Sequence, residues 1–136
     1  MSTITRFEEI DAWKTARELT RMIYALTDQD KFSKDFGLEN QTQRASVSIM
    51  SNIAEGFENR TQARFIDYLG HANASAGEVR CQLYIAKDLN YLNQEQFQQV
   101  FDLADKVSRQ IYRFMSYLET HPKSRRAREE SSEYEV

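Results

Sequence analysis

Cysteine, proline and glycine are scarce in this sequence, which contains one, one and four of them among 136 residues. A chain so poor in glycine and proline offers few of the turns that a β-sheet needs between its strands. The single cysteine, Cys81, excludes an internal disulfide and suits a reducing compartment. These absences favour a helical protein of the cytoplasm.

Long apolar segments and an excess of positive charge are also lacking. No stretch approaches the roughly 20 apolar residues that span a bilayer, and residues 1–6 lack the apolar core of a signal peptide. We therefore expect a soluble, cytoplasmic protein with no membrane contact. Its 18 basic and 21 acidic residues give a net charge of −3, a balance that does not favour non-specific attraction to a polyanion.

The residue patterns of most catalytic and metal sites are missing. Only two histidines occur, His71 and His121, and neither follows a glutamate by three residues, so the chain lacks the ligands of a di-iron bundle or a structural zinc site. Nucleophile-elbow, P-loop and dinucleotide motifs are absent as well. We predict a protein that is not an enzyme and has no metal or cofactor. Cys81 is expected to be a packed, inert thiol, and acid–base chemistry at Glu55, Glu78 and His71 is the least favoured alternative.

Apolar residues recur at helical spacings in four stretches of the chain, and in two of them the spacings of four and three alternate. This period keeps them on one side of an α-helix, which the two-residue period of a strand cannot do. The two clearest stripes are Phe65, Leu69, Ala72, Ala76, Val79, Leu83 and Ala86, then Phe97, Val100, Ala104, Val107, Ile111, Phe114 and Leu118. Two shorter stripes precede them, Ile10, Trp13, Ala16, Leu19, Ile23 and Leu26, then Leu38, Ala45, Ile49 and Ile53.

The stripes predict an all-α protein with helices over residues 8–27, 38–57, 62–90 and 94–120. Short connections favour an antiparallel up-down-up-down four-helix bundle, formed by residues 1–120 as one domain. Thr61 can cap the third helix, and Asn93 with Gln96 can form a capping box at the fourth. The charged connection 28–37 is expected to be a surface loop. Residues 121–136 are expected to form a disordered, charged tail, because four bases there cancel four acids.

Two polar stripes follow the second and third predicted helices. They consist of Arg44, Ser48, Asn52 and Glu55, and of His71, Ser75, Glu78 and Gln82. If facing residues of this antiparallel pair have numbers that sum to about 119, Ser48 lies opposite His71, and Arg44 can pair with Glu78. We interpret the stripes as a structural polar network that fixes the register of the helices. A ligand groove and a plain exposed face are the alternatives.

Basic and aromatic residues outside the core stripes suggest contact surfaces. Candidates for nucleic-acid binding are Lys14, Arg17, Arg21, Arg60 and Arg64, although such cations most often belong to a solvated helix face. Several large side chains lie off the core positions, namely Tyr68, Tyr84, Tyr91, Phe101, Tyr112, Met115 and Tyr117. Because a four-helix core cannot hold them all, some are expected to face a partner, and self-association is one explanation.

The sequence resembles the bacterial four-helix bundle proteins known as 23S rRNA intervening-sequence proteins, over about residues 7–119. The resemblance is carried by Trp13, Ala16 and Tyr24, by Phe36-Gly37-Leu38, by Gln41-x-x-Arg44-Ala45-x-x-Ser48-Ile49-x-x-Asn52-Ile53-Ala54-Glu55-Gly56, and by Phe65, Leu69, Ala72, Ser75, Glu78, Gln82-Leu83 and Ala86. It implies an antiparallel bundle that assembles as a ring, typically a homopentamer. It also implies kinship with the accessory variability determinant of diversity-generating retroelements, a ring that binds nucleic acid and a reverse transcriptase.

Two functions from different classes are consistent with this resemblance. The first is a homo-oligomeric module that binds RNA or a ribonucleoprotein such as a reverse-transcriptase complex. The alternative is a ring that acts as a scaffold for a protein partner and binds no nucleic acid.

Overall fold

A computed structural model of the protein describes residues 4–121. A 3₁₀ turn at Phe7–Glu9 precedes five helices: α1 (Asp11–Thr27), α2 (Asp30–Lys34), α3 (Phe36–Glu58), α4 (Gln62–Asp88) and α5 (Gln94–Thr120). The four long helices match the four predicted ones, and no strand occurs in the described part of the chain. Apart from His121, the predicted tail 121–136 lies outside the described residues.

The long helices form an antiparallel bundle. α1 packs against α3 and α5, and α4 packs against the same two helices, so that α1 and α4 occupy one diagonal of the bundle. Each helix runs opposite to its neighbours because the chain turns back between successive long helices. This arrangement confirms the predicted all-α, up-down-up-down four-helix fold.

The core consists largely of the predicted apolar stripes. All seven members of the α4 stripe, from Phe65 to Ala86, are at most 1% exposed. In α5, residues from Val100 to Ile111 at the stripe positions are fully buried, whereas Phe114 is only partly buried. Burial of these side chains supplies the main driving force for folding.

Polar side chains cap the start of α4 and α5. Thr61 Oγ1 accepts a hydrogen bond from the backbone N of Arg64 over 3.3 Å. Asn93 Oδ1 accepts from the backbone N of Gln96 over 2.7 Å, and Gln96 Oε1 accepts from the backbone N of Asn93 over 3.0 Å. Both predicted caps are therefore confirmed, the second as a reciprocal capping box.

The connection between the first two long helices is not a simple surface loop, which corrects the expectation for residues 28–37. It contains α2, whose Phe32 is 1% exposed. The Phe32 ring packs against that of Tyr91, with 5.4 Å between their centroids. Phe32 and Phe36 are the only large apolar residues of the charged segment 28–37, too few to establish a period, so the sequence pattern did not reveal this anchor.

Two further observations concern residues 4–121 as a whole. None of their helices combines the length and the apolar character needed to cross a bilayer. They contain no group of three or more histidine, cysteine, aspartate or glutamate side chains arranged to hold a metal ion.

Candidate nucleic-acid interface

The basic residues of α1 form an exposed stripe. Lys14, Arg17 and Arg21 are spaced by three and four residues, which places them on one side of the helix, and all three are exposed. The Arg17 guanidinium lies over the ring of Trp13, 5.9 Å from its centroid. No carboxylate of residues 4–121 forms an ion pair with these three cations.

Arg60 and Arg64 lie at the turn between α3 and α4, and both are exposed. The end of α5 is beside this turn, because Gln62 Nε2 donates to the backbone oxygen of Leu118 over 2.6 Å. In an up-down bundle the N-terminus of α1 lies at this same end. The two basic groups nevertheless face different directions, since α1 and α4 are diagonal helices. The structure therefore does not merge the five candidate cations into one patch.

A shallow groove of about 240 Å³ lies on the outer side of α4, lined by Arg64, Asp67, Tyr68 and His71. These residues are spaced by three, one and three, so they share one helix face. The rings of Tyr68 and His71 meet edge to face, with 6.3 Å between their centroids. Arg64, Tyr68 and His71 were each singled out from the sequence for a different reason, whereas Asp67 was not. The spacing of these four residues in the sequence is the signal that could have predicted their shared helix face.

The polar stripes meet at only some of their members. The hydroxyl groups of Ser48 and Ser75 are hydrogen-bonded over 3.0 Å. The Asn52 amide donates to the backbone oxygen of Ser48 over 2.8 Å and to its hydroxyl over 3.0 Å. Ser48, Asn52 and Ser75 thus form a small network across α3 and α4, whereas Glu55, His71 and Glu78 are exposed and lie outside it.

The expected Arg44–Glu78 ion pair was wrong. Arg44 Nε donates instead to Asn40 Oδ1 over 3.1 Å, one turn earlier on the same helix. Both Arg44 and Glu78 are exposed, and an ion pair in solvent contributes too little to draw two side chains across the seam between helices. The Nε–H of Arg44 therefore pairs with a nearer partner on α3.

The register of α3 against α4 also differs from the expectation. Ser48 faces Ser75 and not His71, a shift of four residues, or about one helical turn. Gly56 explains the difference: a Cβ atom there would lie 2.7 Å from the Cβ of Tyr68. The two backbones approach each other at this glycine, and that contact sets which residues face each other.

Cys81 was expected to be packed, and it is exposed. It lies two residues after Val79 and two before Leu83, both of which are fully buried. Two residues along an α-helix correspond to a rotation of about 200°, so a residue midway between two buried positions points away from the core.

The described chain is a four-helix bundle with a groove on one helix and exposed basic residues at two of its corners. A family model described as 23S rRNA-intervening sequence protein matches residues 8–113. The chain therefore belongs to the family of 23S rRNA intervening-sequence proteins.

One solved structure supports the fold directly. It is a protein of unknown function from the S23 ribosomal protein family of Bacteroides thetaiotaomicron, with a TM-score of 0.71 and 21% sequence identity. The match covers 77% of the present chain and 95% of the other. Comparison with curated proteins finds no match.

Proposed function

We propose that the protein is a non-enzymatic, homo-oligomeric accessory module that binds RNA or a ribonucleoprotein. The observation that carries this proposal is the α4 groove, which Arg64 lines together with Asp67 and with the rings of Tyr68 and His71. Single-stranded RNA is bound by this combination, since cations contact the phosphates and aromatic rings stack on unpaired bases. The family name, which refers to an insertion in large-subunit ribosomal RNA, is consistent with an RNA-related role.

The groove residues and the α1 stripe have different roles in this proposal. Arg60 and Arg64 hold the phosphates of a strand whose unpaired bases contact Tyr68 and His71. Lys14, Arg17 and Arg21 contact phosphates of a more distant segment. Because the net charge of the chain is −3, these local cations act without long-range attraction, and the affinity is expected to depend steeply on salt.

A titration with a fluorescently labelled RNA hairpin that carries an unpaired loop tests the proposal. We expect saturable binding at about 50 mM salt that weakens at least tenfold at about 200 mM, because bound counterions are released. Arg64→Glu is expected to weaken binding, and so is the double change Arg17→Glu with Arg21→Glu.

The double change Lys106→Glu with Arg113→Glu is a matched control for the α1 variant. It reverses two exposed cations seven residues apart on α5 and alters the net charge by the same amount. If the control weakens binding as much as the α1 variant, only overall charge matters and the assigned surface is wrong. Absence of binding at the lower salt concentration would contradict the RNA proposal itself.

The second candidate function is a protein-scaffold ring, which is favoured by three exposed apolar side chains. Tyr24, Phe36 and Val47 are 45%, 74% and 40% exposed. Large exposed apolar side chains are frequent on surfaces that a protein partner covers. The same titration separates the two functions, because a scaffold needs no RNA affinity. Both functions require a homo-oligomer, for which the ring, typically a pentamer, remains our proposal.

A further inference from the structure

The outer side of α3 carries bulky and charged side chains. Spacings of four, four and three residues place four of them in one row along the helix: Phe36, Asn40, Arg44 and Val47. Phe36 is 74% exposed and Val47 is 40% exposed. Among the described residues, the Arg44 guanidinium hydrogen-bonds only to Asn40 of the same row. This row of large side chains is termed the bulky face.

The outer side of α4 is the opposite in shape. One side of this helix carries a row of four residues, three of which have small side chains: Ala74, Gly77, Glu78 and Cys81. A Cβ atom at Gly77 would meet nothing closer than the Arg80 guanidinium, at 3.6 Å. Glu78 forms no ion pair with any residue of the described chain. This row is termed the small face, and another helix can approach it closely.

We infer that the bulky face of one copy packs against the small face of a second copy, with Arg44 paired to Glu78 between them. The inference rests on the proposed function, which requires a homo-oligomer. The hydrogen bond between Ser48 and Ser75 fixes α3 against α4 so that Arg44 and Glu78 lie at nearly the same height along the bundle. The two charges are opposite, exposed and unpaired with each other within one chain.

The positions of the two faces lead to a closed assembly. They lie on different surfaces of the same molecule, so the contact is head-to-tail, and such contacts form a ring when the rotation closes. Because α3 and α4 are adjacent corners of the bundle, their outer sides point in different directions. Each copy is therefore rotated relative to the one before it. If the ring axis is parallel to the helices, each residue lies at the same height along the bundle in every copy. Val47 then meets Ala74, and Phe36 meets Ile85, which is 44% exposed.

Charge reversal tests this contact, with light scattering after size-exclusion chromatography as the measurement. Arg44→Glu alone and Glu78→Arg alone are each expected to elute with the mass of a single chain, because like charges then face each other. A mixture of equal amounts of the two variants is expected to form species larger than a single chain, since contacts between unlike variants join opposite charges. The double variant Arg44→Glu with Glu78→Arg is expected to form the wild-type assembly, because every contact of a ring of any size then joins opposite charges. Arg113→Glu, an equal charge change on α5, is expected to remain assembled.

A second variant tests shape and not charge. Ala74→Trp places a large side chain on the small face at an exposed position, so it is expected to block assembly while circular dichroism shows unchanged helix content. The thiol of Cys81 is expected to react slowly with a thiol reagent in the assembled protein and at least tenfold faster in this variant.

The possible failures are distinguishable. A wild-type protein with the mass of a single chain would overturn both this inference and the oligomeric part of the proposed function. A wild-type oligomer that persists in Arg44→Glu, Glu78→Arg and Ala74→Trp would overturn only the assigned surface. If the double variant assembles but the mixture of single variants forms nothing larger than a single chain, the pair forms within one chain and the inference is wrong.

Discussion

The hydroxyl group of Tyr91 donates a hydrogen bond to Asp35 Oδ2 over 2.9 Å. The other carboxylate oxygen, Asp35 Oδ1, accepts from the backbone N of Leu38 over 3.1 Å and so caps α3. One carboxylate thus holds the start of α3 and the turn between α4 and α5. This contact lies at the end of the bundle opposite to Arg60 and Arg64, so it can be altered without disturbing the proposed RNA surface.

This contact predicts a pH dependence of stability. The hydrogen bond to Asp35 raises the pKa of Tyr91 above its ordinary value of 10.0, and burial and the negative charge of Asp35 add to the effect. The folded state therefore favours the neutral phenol. Its contribution to stability is fully present below pH 10.0 and is lost as the pH rises through the raised folded pKa. Tyr91→Phe should lower the Tm near neutral pH, and the difference from wild type should shrink above pH 10.0.

Thermal melts followed by circular dichroism at a series of pH values check this prediction. Tyr112→Phe is the control, because Tyr112 is 66% exposed and its hydroxyl has no hydrogen-bond partner in the described chain. It should change the Tm little at any pH. A Tyr91→Phe difference that stays constant into the alkaline range would mean that the hydrogen bond to Asp35 does not perturb the phenol.

The second prediction concerns the anchor in α2. Phe32 is 1% exposed and packs against Tyr91, so Phe32→Ala should lower the free energy of unfolding by about 3–5 kcal/mol. Tyr112→Ala removes a ring that is 66% exposed and should change it by only about 0.5 kcal/mol. Urea denaturation at one fixed protein concentration measures both. Equal effects of the two changes would show that α2 does not anchor the connection.

The long helices were predictable from sequence because their stability comes from a repeated pattern. Seven apolar positions from Phe65 to Ala86 recur every three or four residues, and each turn of α4 repeats the same signal. The caps at Thr61 and Asn93 were predictable for a different reason, since a side-chain oxygen there bonds a backbone N–H three residues away. Phe32 has neither kind of signal. Its burial depends on a contact with Tyr91, which is distant in the sequence.

The candidate site was less predictable because it depends on how helices meet. Arg64, Tyr68 and His71 were identified as individual residues, but the groove that they share became evident only on the folded surface. A polar network that includes Ser48 and Ser75 was predicted between the two helices, but the predicted register of those helices was wrong by four residues. Periodicity defines which side of a helix is buried but not how far that helix slides along its neighbour.

The last prediction tests the contact that sets this register. A Cβ atom at Gly56 would lie 2.7 Å from the Tyr68 Cβ and 2.9 Å from Phe65 Cδ1. Gly56→Ala should therefore destabilise the fold by about 1–3 kcal/mol, because the helices must move apart.

Gly70→Ala is the matched control within a helix. Its new Cβ would be 3.9 Å from the Met115 methyl group, an ordinary contact, so alanine should stabilise the fold by about 0.5–1 kcal/mol through its better helix propensity. Both changes replace glycine by alanine, but their effects on the free energy of unfolding, measured by urea denaturation, should have opposite signs. If Gly56→Ala also stabilises the protein, the close approach of α3 and α4 does not exist, and the register between Ser48 and Ser75 needs another cause.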